Sequence, residues 1–499
     1  MDKPTENDIL EIARQVGLEF PADELASTTA LTAAFLEGFD ALEDLPDEIP
    51  EVRWPREGYR RPGPEENPLN AWVHLARVSG AEGGPLAGRT VALKDNVALA
   101  GVPMGGGTDF LASYVPPCDA TIVDRILDAG GTILGKAACE YLSASGGSHT
   151  SASGMVHNPH RRGHSAGGSS SGSAALVANG DVDLAIGGDQ GGSIRIPSAF
   201  CGTVGMKPTF GLVPYTGILS IEATIDHTGP ITANVADNAL FLEVLAGADG
   251  IDPRQSGCQT SAYTEALDKN VAGMRIAVLE EGFLADGPAI APVRRAASDL
   301  AELGAKVEPI SIPEHVTHAV SLLPTFLTGA TDGLFADGAA SQSAGLGLPG
   351  LTDAFARWRE TPGGLPGQAR VWLLASLWSE RRGARGYYAK AQNLRRRLRA
   401  CYDAALAEYD ALLLPTCPIT ATRLPAAGAP LEEVVARSSD MAENTGHFNA
   451  SGHPAISVPC AMADGLPVGM MLVGRHWDEA TLYRIAHAYE RSGNWRARS

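Results

Sequence analysis

The stretch from Ser143 to Gly211 constrains this chain more than any other. Glycine and serine dominate it, a composition that on its own describes a flexible linker. Two apolar segments interrupt it. Ala174-Ala175-Leu176-Val177-Ala178 reads as a short helix, and Asp183-Leu184-Ala185-Ile186 reads as a buried strand. Gly/Ser-rich backbone interleaved with core pieces is backbone packed tightly around a site. Such a segment needs a rigid frame on both sides of it.

The frame is legible as alternating strands and helices. Arg89 to Leu93 is a compact apolar strand. Asp119 to Ala129 is a helix with Ile122, Val123, Ile126 and Leu127 on one face and Asp119 as its cap. Gly130-Gly131 ends it, and Thr132-Ile133-Leu134 starts the next strand. Val235 to Ala246 is a helix capped by Asn234, and further strands are expected at 275–279, 306–308, 410–415, 454–459 and 468–473. Helices at 292–303 and 480–490 complete the pattern. This alternation predicts an α/β fold, a mixed central sheet flanked by helices. Residues 1–67 read as a helical N-terminal region of two or three short helices, followed by a Pro- and charge-rich connecting arm. Residues 68–499 form the main domain, with 314–400 a mainly helical insertion that carries Gly/Ser/Ala-rich loops at 329–350.

Composition excludes several function classes. The formal charge of −19 over 499 residues argues against nucleic acid as a partner, since phosphate binding needs a basic face. The one dense basic run, Leu394 to Arg399, is expected to be the solvated side of a helix. No stretch of about 18 apolar residues is present to span a membrane, and the N-terminus lacks the pattern of a secretory signal. Seven scattered cysteines suggest reduced thiols in a cytoplasm, and the absence of C-x-x-C argues against a thiolate zinc site. His157, His160 and His164 have spacings that could ligate a metal, but Arg161 and Arg162 beside them argue against it. His447, His453 and His476 are expected to be turn or surface residues.

Three places carry the parts of a nucleophile hydrolase. Lys94 follows an apolar strand directly, where burial would lower its pKa and let a neutral amine act as a base. It could equally snorkel to the surface or pair with Asp95. The second place is Gly167 to Ser173. The third is Gly187 to Pro197, where a buried strand feeds a glycine turn ending in Ser193. Two glycines before a serine let backbone N–H groups face an incoming carbonyl oxygen, and Asp189 can brace the turn. A plain Gly-rich turn with a capping serine would look the same. Gly168 to Gly172 formally matches G-x-S-x-G, but no strand precedes it as that elbow requires. A P-loop and a Rossmann fingerprint are both missing.

The run Gly167-Gly168-Ser169-Ser170, Gly191 to Pro197, Phe200-Cys201-Gly202 and Gly205 to Thr209 resembles the amidase signature. Val91 to Asn96, Gly229-Pro230-Ile231, Pro454 to Pro459 and Gly465 to Gly469 extend the likeness over nearly the whole chain from residue 68. The form Gly187-Gly188-Asp189-Gln190-Gly191-Gly192-Ser193 is similar to the stand-alone bacterial amidases often called enantioselective. The resemblance implies Ser193 as nucleophile, Ser169 as bridging serine with a cis Gly168–Ser169 peptide, and Lys94 as base. It implies an oxyanion hole of the Gln190, Gly191, Gly192 and Ser193 N–H groups. It departs at Ser171, where the family usually has glycine. Small residues at Gly105, Ala144, Gly146 and Gly147, with Met104 and Ser171, suggest a roomy substrate pocket. The expected function is hydrolysis of carboxamide C–N bonds, of aryl or bulky amides, through an acyl-enzyme and without cofactor or metal. Carbamate (urethane) hydrolysis with the same triad is the alternative, and the A subunit of a tRNA-dependent amidotransferase is the third reading. The expected partner is a small amide or carbamate. Neither nucleic acid nor membrane is expected, and the resemblance implies a homodimer.

Overall fold

Short apolar strands separated by helices and glycine turns assemble into one sheet. The structure, a computed structural model, describes residues 2–19, 21–335, 345–360, 365–383 and 386–498. Among them, eleven strands are β1 (Trp72–Ser79), β2 (Thr90–Lys94), β3 (Thr132–Ala137), β4 (Leu184–Asp189), β5 (Val204–Lys207) and β6 (His227–Thr232), then β7 (Arg275–Leu279), β8 (Lys306–Ile310), β9 (Ala411–Pro415), β10 (Ala455–Ala463) and β11 (Leu466–Val473). Their order is β1-β3-β2-β4-β6-β5-β10-β11-β9-β7-β8. The sheet is mixed. β2 runs parallel to both β3 and β4, β4 pairs antiparallel with β6, and β10 and β11 form a long antiparallel pair.

Two compact units divide the chain, Met1–Pro50 and Glu51–Ser499. The first holds helices α1 (Glu6–Val16) and α2 (Leu25–Glu43). Thr5 opens α1 with a reciprocal cap: its hydroxyl accepts from the Asp8 N–H, and Asp8 accepts from the Thr5 N–H. The connecting arm, grouped in sequence with the N-terminal helices, belongs to the larger unit from Glu51 onward. Arg53 pairs with Asp124 and Asp128, and Arg60 bridges to Leu75.

In the larger unit, helices α3 (Thr121–Asp128), α4 (Ser171–Asn179), α5 (Arg195–Cys201), α6 (Val235–Leu245) and α7 (Ile290–Glu302) are prominent elements. Asn234 caps α6 as expected, its side chain accepting from the Asp237 N–H. Asp119 does not cap α3; that position falls to Ala120. A tertiary pull wins instead, because Asp119 accepts from the Ala100 N–H at 2.8 Å and pairs with Arg56. Residues 314–400 are mainly helical, with long segments Leu322–Phe335, Pro349–Ala356, Gly367–Arg381 and the start of Gly386–Glu408. Of the loops expected at 329–350, residues 329–335 are helical, and 336–344 lie outside the described residues. The basic run is not uniformly solvated. Arg395 is largely buried and donates to the Ala450 and Thr224 carbonyls, whereas Arg397 stays exposed.

All seven cysteines are free thiols, and no described helix is long and apolar enough to cross a membrane.

Candidate active site

Parallel strands β2 and β4 end side by side, which brings their C-terminal residues to one sheet edge. Lys94 closes β2 and is fully buried. Its Nζ is hydrogen-bonded to Ser169 Oγ at 2.7 Å, and the Gly168–Ser169 peptide is cis. Pairing with Asp95 does not occur. Asp95 faces Lys136 Nζ at 3.6 Å and accepts from the Gly105 N–H. Burial pushes Lys94 down to about 8, against the pull of the neighbouring Cys139, Asp189 and Glu140 charges. A lysine held there has an accessible neutral form near neutral pH.

Beyond β4 the chain turns through Gln190 to Ser193 into α5. Asp189 organises this turn. Its carboxylate accepts from the Gly192 N–H at 2.7 Å and the Ile194 N–H at 3.1 Å. The Arg195 guanidinium grips it through Nε at 2.9 Å and Nη2 at 3.0 Å, and Asn449 Nδ2 adds a bond at 2.9 Å. Burial alone would raise the Asp189 pKa, but Arg195 holds it well below the usual carboxylate range. Gly192 has φ +135°, and a Cβ there would collide with Thr445 and Ile196, so only glycine fits. At Gly191 a Cβ would meet nothing within 4 Å. The space above Gly191 is therefore open to a ligand.

Within the expected oxyanion set, the Gly192 N–H already donates to Asp189. The Gly191 and Ser193 N–H groups have no partner among the described residues. Ser193 is 7% exposed, whereas Lys94 and Ser169 are both at 0%, so only Ser193 is reached from outside. Its hydroxyl makes no hydrogen bond among the described residues. The two serine turns abut where the Ser170 N–H donates to the Ser193 carbonyl at 3.3 Å.

Ser171 has a partner that sequence reading missed. Its hydroxyl donates to Glu140 Oε1 at 2.9 Å, while Thr150 donates to Oε2 through both its N–H and its hydroxyl. The Glu140 N–H donates in turn to the Ser169 carbonyl at 3.2 Å. Burial raises Glu140 to about 7, opposed by these Thr150 and Ser171 bonds. Ser171→Gly should therefore cost about 1–2 kcal/mol of stability by leaving a buried carboxylate short of a donor. Urea denaturation would measure this, and an unchanged midpoint would mean the Ser171 bond carries nothing.

A cavity of about 1430 Å³ lies alongside, above the usual range for small-molecule sites. Met104, Leu219, Phe326, Phe355 and Trp372 give it apolar walls, and helices of the 314–400 segment supply much of them. Of the expected pocket residues, Met104 and Ala144 line it. Gly105, Gly146, Gly147 and Ser171 do not: Gly146 packs on Met441, and Gly147 on the Arg437 carbonyl. Lys94, Ser169 and Ser193 are not in the lining either. Tyr215 connects the two regions, since it lines the cavity and its hydroxyl accepts from Gln190 Nε2 at 2.9 Å. Thr445, Asn449 and Glu140 carry no local motif, so nothing in the sequence near them marked them.

Known proteins resemble this chain over most of its length. The family profile described as Amidase matches residues 70–483. An enantioselective amidase of Rhodococcus rhodochrous is 44% identical over 452 residues, covering 88% of this chain and 87% of its own. The A subunit of a glutamyl-tRNA(Gln) amidotransferase of Exiguobacterium sibiricum is 36% identical over 425 residues, covering 83% and 86%. Among solved structures, a bacterial aryl acylamidase of the amidase signature family superposes with TM-score 0.70 at 26% identity, covering 86% and 91%.

Proposed function

The chain belongs to the amidase signature family, and on that premise we propose that it hydrolyses the C–N bond of carboxamides through an acyl-enzyme. The observation that carries this reading is the fully buried Lys94–Ser169 hydrogen bond of 2.7 Å, set beside the glycine turn that bears Ser193. In the proposed reaction, neutral Lys94 takes the Ser169 proton while Ser169 takes that of Ser193. Ser193 Oγ then bonds to the carbonyl carbon. The Gly191 and Ser193 N–H groups, with that of Gln190, hold the oxyanion. The C–N bond breaks as the proton returns along the same relay to the leaving amine. Water, deprotonated by the same route, releases the acid and restores Ser193.

The wide apolar cavity supports bulky or aryl amides as the substrate class. The 44% identity to an enantioselective amidase, against 36% to the A subunit of an amidotransferase, supports action as a single chain without tRNA. A series of nitroanilides with graded acyl groups tests this, with matched aryl carbamates as the second arm. Faster cleavage of large anilides by the purified chain is the expected result. Exclusive cleavage of carbamates would replace the amide reading with a urethanase, and turnover of only the smallest acyl group would remove the cavity from the argument.

The pH profile follows from Lys94. The base must be neutral, so kcat/KM should rise with pH up to about 8 and then level. At pH 7 only about a tenth of the enzyme would carry the neutral lysine. A profile flat across that range would remove Lys94 as the base.

A further inference from the structure

His476 lies in a turn, as its sequence context predicts, but neither it nor His453 is a surface residue. His453 is fully buried, and His476 is mostly so. They converge with Asp403 from three separate places: the helix Gly386–Glu408, the loop before β10, and the loop after β11. We propose that Asp403, His453 and His476 form a binding site for a divalent transition metal of the Zn²⁺ or Co²⁺ type.

The geometry of the donor atoms carries this inference. Asp403 Oδ1 lies 3.0 Å from His453 Nε2 and 3.6 Å from His476 Nδ1. Zinc bonds to nitrogen and oxygen ligands are ~2.0–2.2 Å, so neighbouring ligand atoms of a tetrahedral site stand ~3.4 Å apart. The two observed separations bracket that value. Both imidazoles are also anchored at the ring nitrogen that faces away from the cluster. His453 Nδ1 bonds the Ser451 hydroxyl at 3.0 Å, and His476 Nε2 bonds the Ser451 carbonyl at 3.2 Å. A carbonyl only accepts, so His476 carries its proton on Nε2 and presents the Nδ1 lone pair to the carboxylate. Two acceptors facing each other at that distance are the arrangement a cation resolves. Such hydrogen bonds from the remote nitrogen are how ligating histidines are oriented.

The surrounding charges leave the site usable. Arg399 Nε approaches the other carboxylate oxygen, Oδ2, at 3.6 Å and leaves Oδ1 to the histidines. Lys207 Nζ is directed to backbone, donating to the carbonyls of Pro208 and His453. The Asp403 side chain is 49% exposed, which gives an ion and a water as fourth ligand a way in. Two imidazoles and one carboxylate favour Zn²⁺, Co²⁺ or Ni²⁺ over Mg²⁺ or Ca²⁺, which prefer all-oxygen sets. Bound metal would tie the helix bearing Asp403 to the two loops. Arg399, Ser451 and Gly452 of this region also line the large cavity, so the clamp would brace one of its walls.

The test is titration of tag-free, chelator-stripped full-length protein with CoCl₂, followed by visible absorption and then by displacement with ZnCl₂. One equivalent of Co²⁺ with tetrahedral bands, displaced by Zn²⁺, is expected. His476→Ala and Asp403→Asn should each weaken binding by at least ~10-fold, and Ser451→Ala by ~10-fold through lost orientation of the His453 ring. Zn²⁺ should raise the melting temperature of the parent protein and not that of Asp403→Asn, a half-exposed change compatible with folding. Absence of Co²⁺ bands up to roughly 1 mM, a binding free energy of about −4 kcal/mol, would overturn the site. Equal uptake by the parent and both ligand variants would do so as well. In either case Asp403 and the two histidines share a proton only.

Discussion

Replacing Ser193 with alanine is expected to lower kcat/KM on an aryl carboxamide by ~10⁴-fold or more, the scale seen when a hydrolase loses its nucleophile. The change removes one oxygen and leaves the turn intact. Gly192 keeps its bond to Asp189, and the backbone N–H of residue 193 remains. The folded state should therefore be unaltered, with an unchanged denaturation midpoint, and KM should move little. The loss belongs in kcat, because the missing bond forms only in the reaction. Trapping separates the roles further: with hydroxylamine present, the parent enzyme should yield the hydroxamate from its acyl-enzyme, and the variant none. If Ser193→Ala retains more than about a hundredth of the parent activity, Ser193 is not the nucleophile and the relay from Lys94 has no acceptor to serve.

Asp189→Asn is expected to act on the fold rather than on the chemistry alone. Asp189 and Arg195 are both completely buried and bonded through two nitrogens. Neutralising the carboxylate leaves the guanidinium charge in the interior with only neutral oxygens beside it, Asn449 Oδ1 at 2.8 Å among them. Breaking a buried pair from one side costs about 3–5 kcal/mol, whereas removing both charges costs much less. The double variant Asp189→Asn, Arg195→Met should thus recover part of the loss, and a denaturant-based double-mutant cycle measures the coupling. Activity should fall with stability, because Asn has one accepting oxygen where the carboxylate offers two, so the Gly192 and Ile194 N–H groups cannot both keep their partner and the turn loosens beneath Ser193. A single-variant loss below about 1 kcal/mol would show that the pair does not hold the turn.

Much of the frame was legible because local chemistry and tertiary need agree there. Asn234 caps its helix, and the apolar strands at 90–94, 275–279 and 411–415 lie where their patterns place them. Three strands of the site's own neighbourhood, β1, β5 and β6, were not read. β6 contains Gly229 and Pro230, residues that argue against a central strand, yet it pairs with both β4 and β5. β1 starts the main domain with an alternating burial pattern but carries polar His74 and Arg77, which blur it.

The expected site residues divide the same way. Lys94, Ser169 and the glycine turn stand out locally because strand ends and glycines are written in consecutive residues. Their meeting depends on β2 and β4 being neighbours, a pairing across about ninety residues of chain. The commitment of Gly192 to Asp189, the Ser171–Glu140 bond, and the gathering of Asp403, His453 and His476 were invisible for the same reason.

Sequence by itself determined the fold class and the family, since these rest on short-range pattern: strand periodicity, turn glycines and a contiguous motif. Tertiary structure alone decided which N–H groups remain free for an oxyanion, how far Lys94 is desolvated, and which helices wall the cavity. Those are properties of burial and of partners distant in the chain, and burial exists only once the chain has folded.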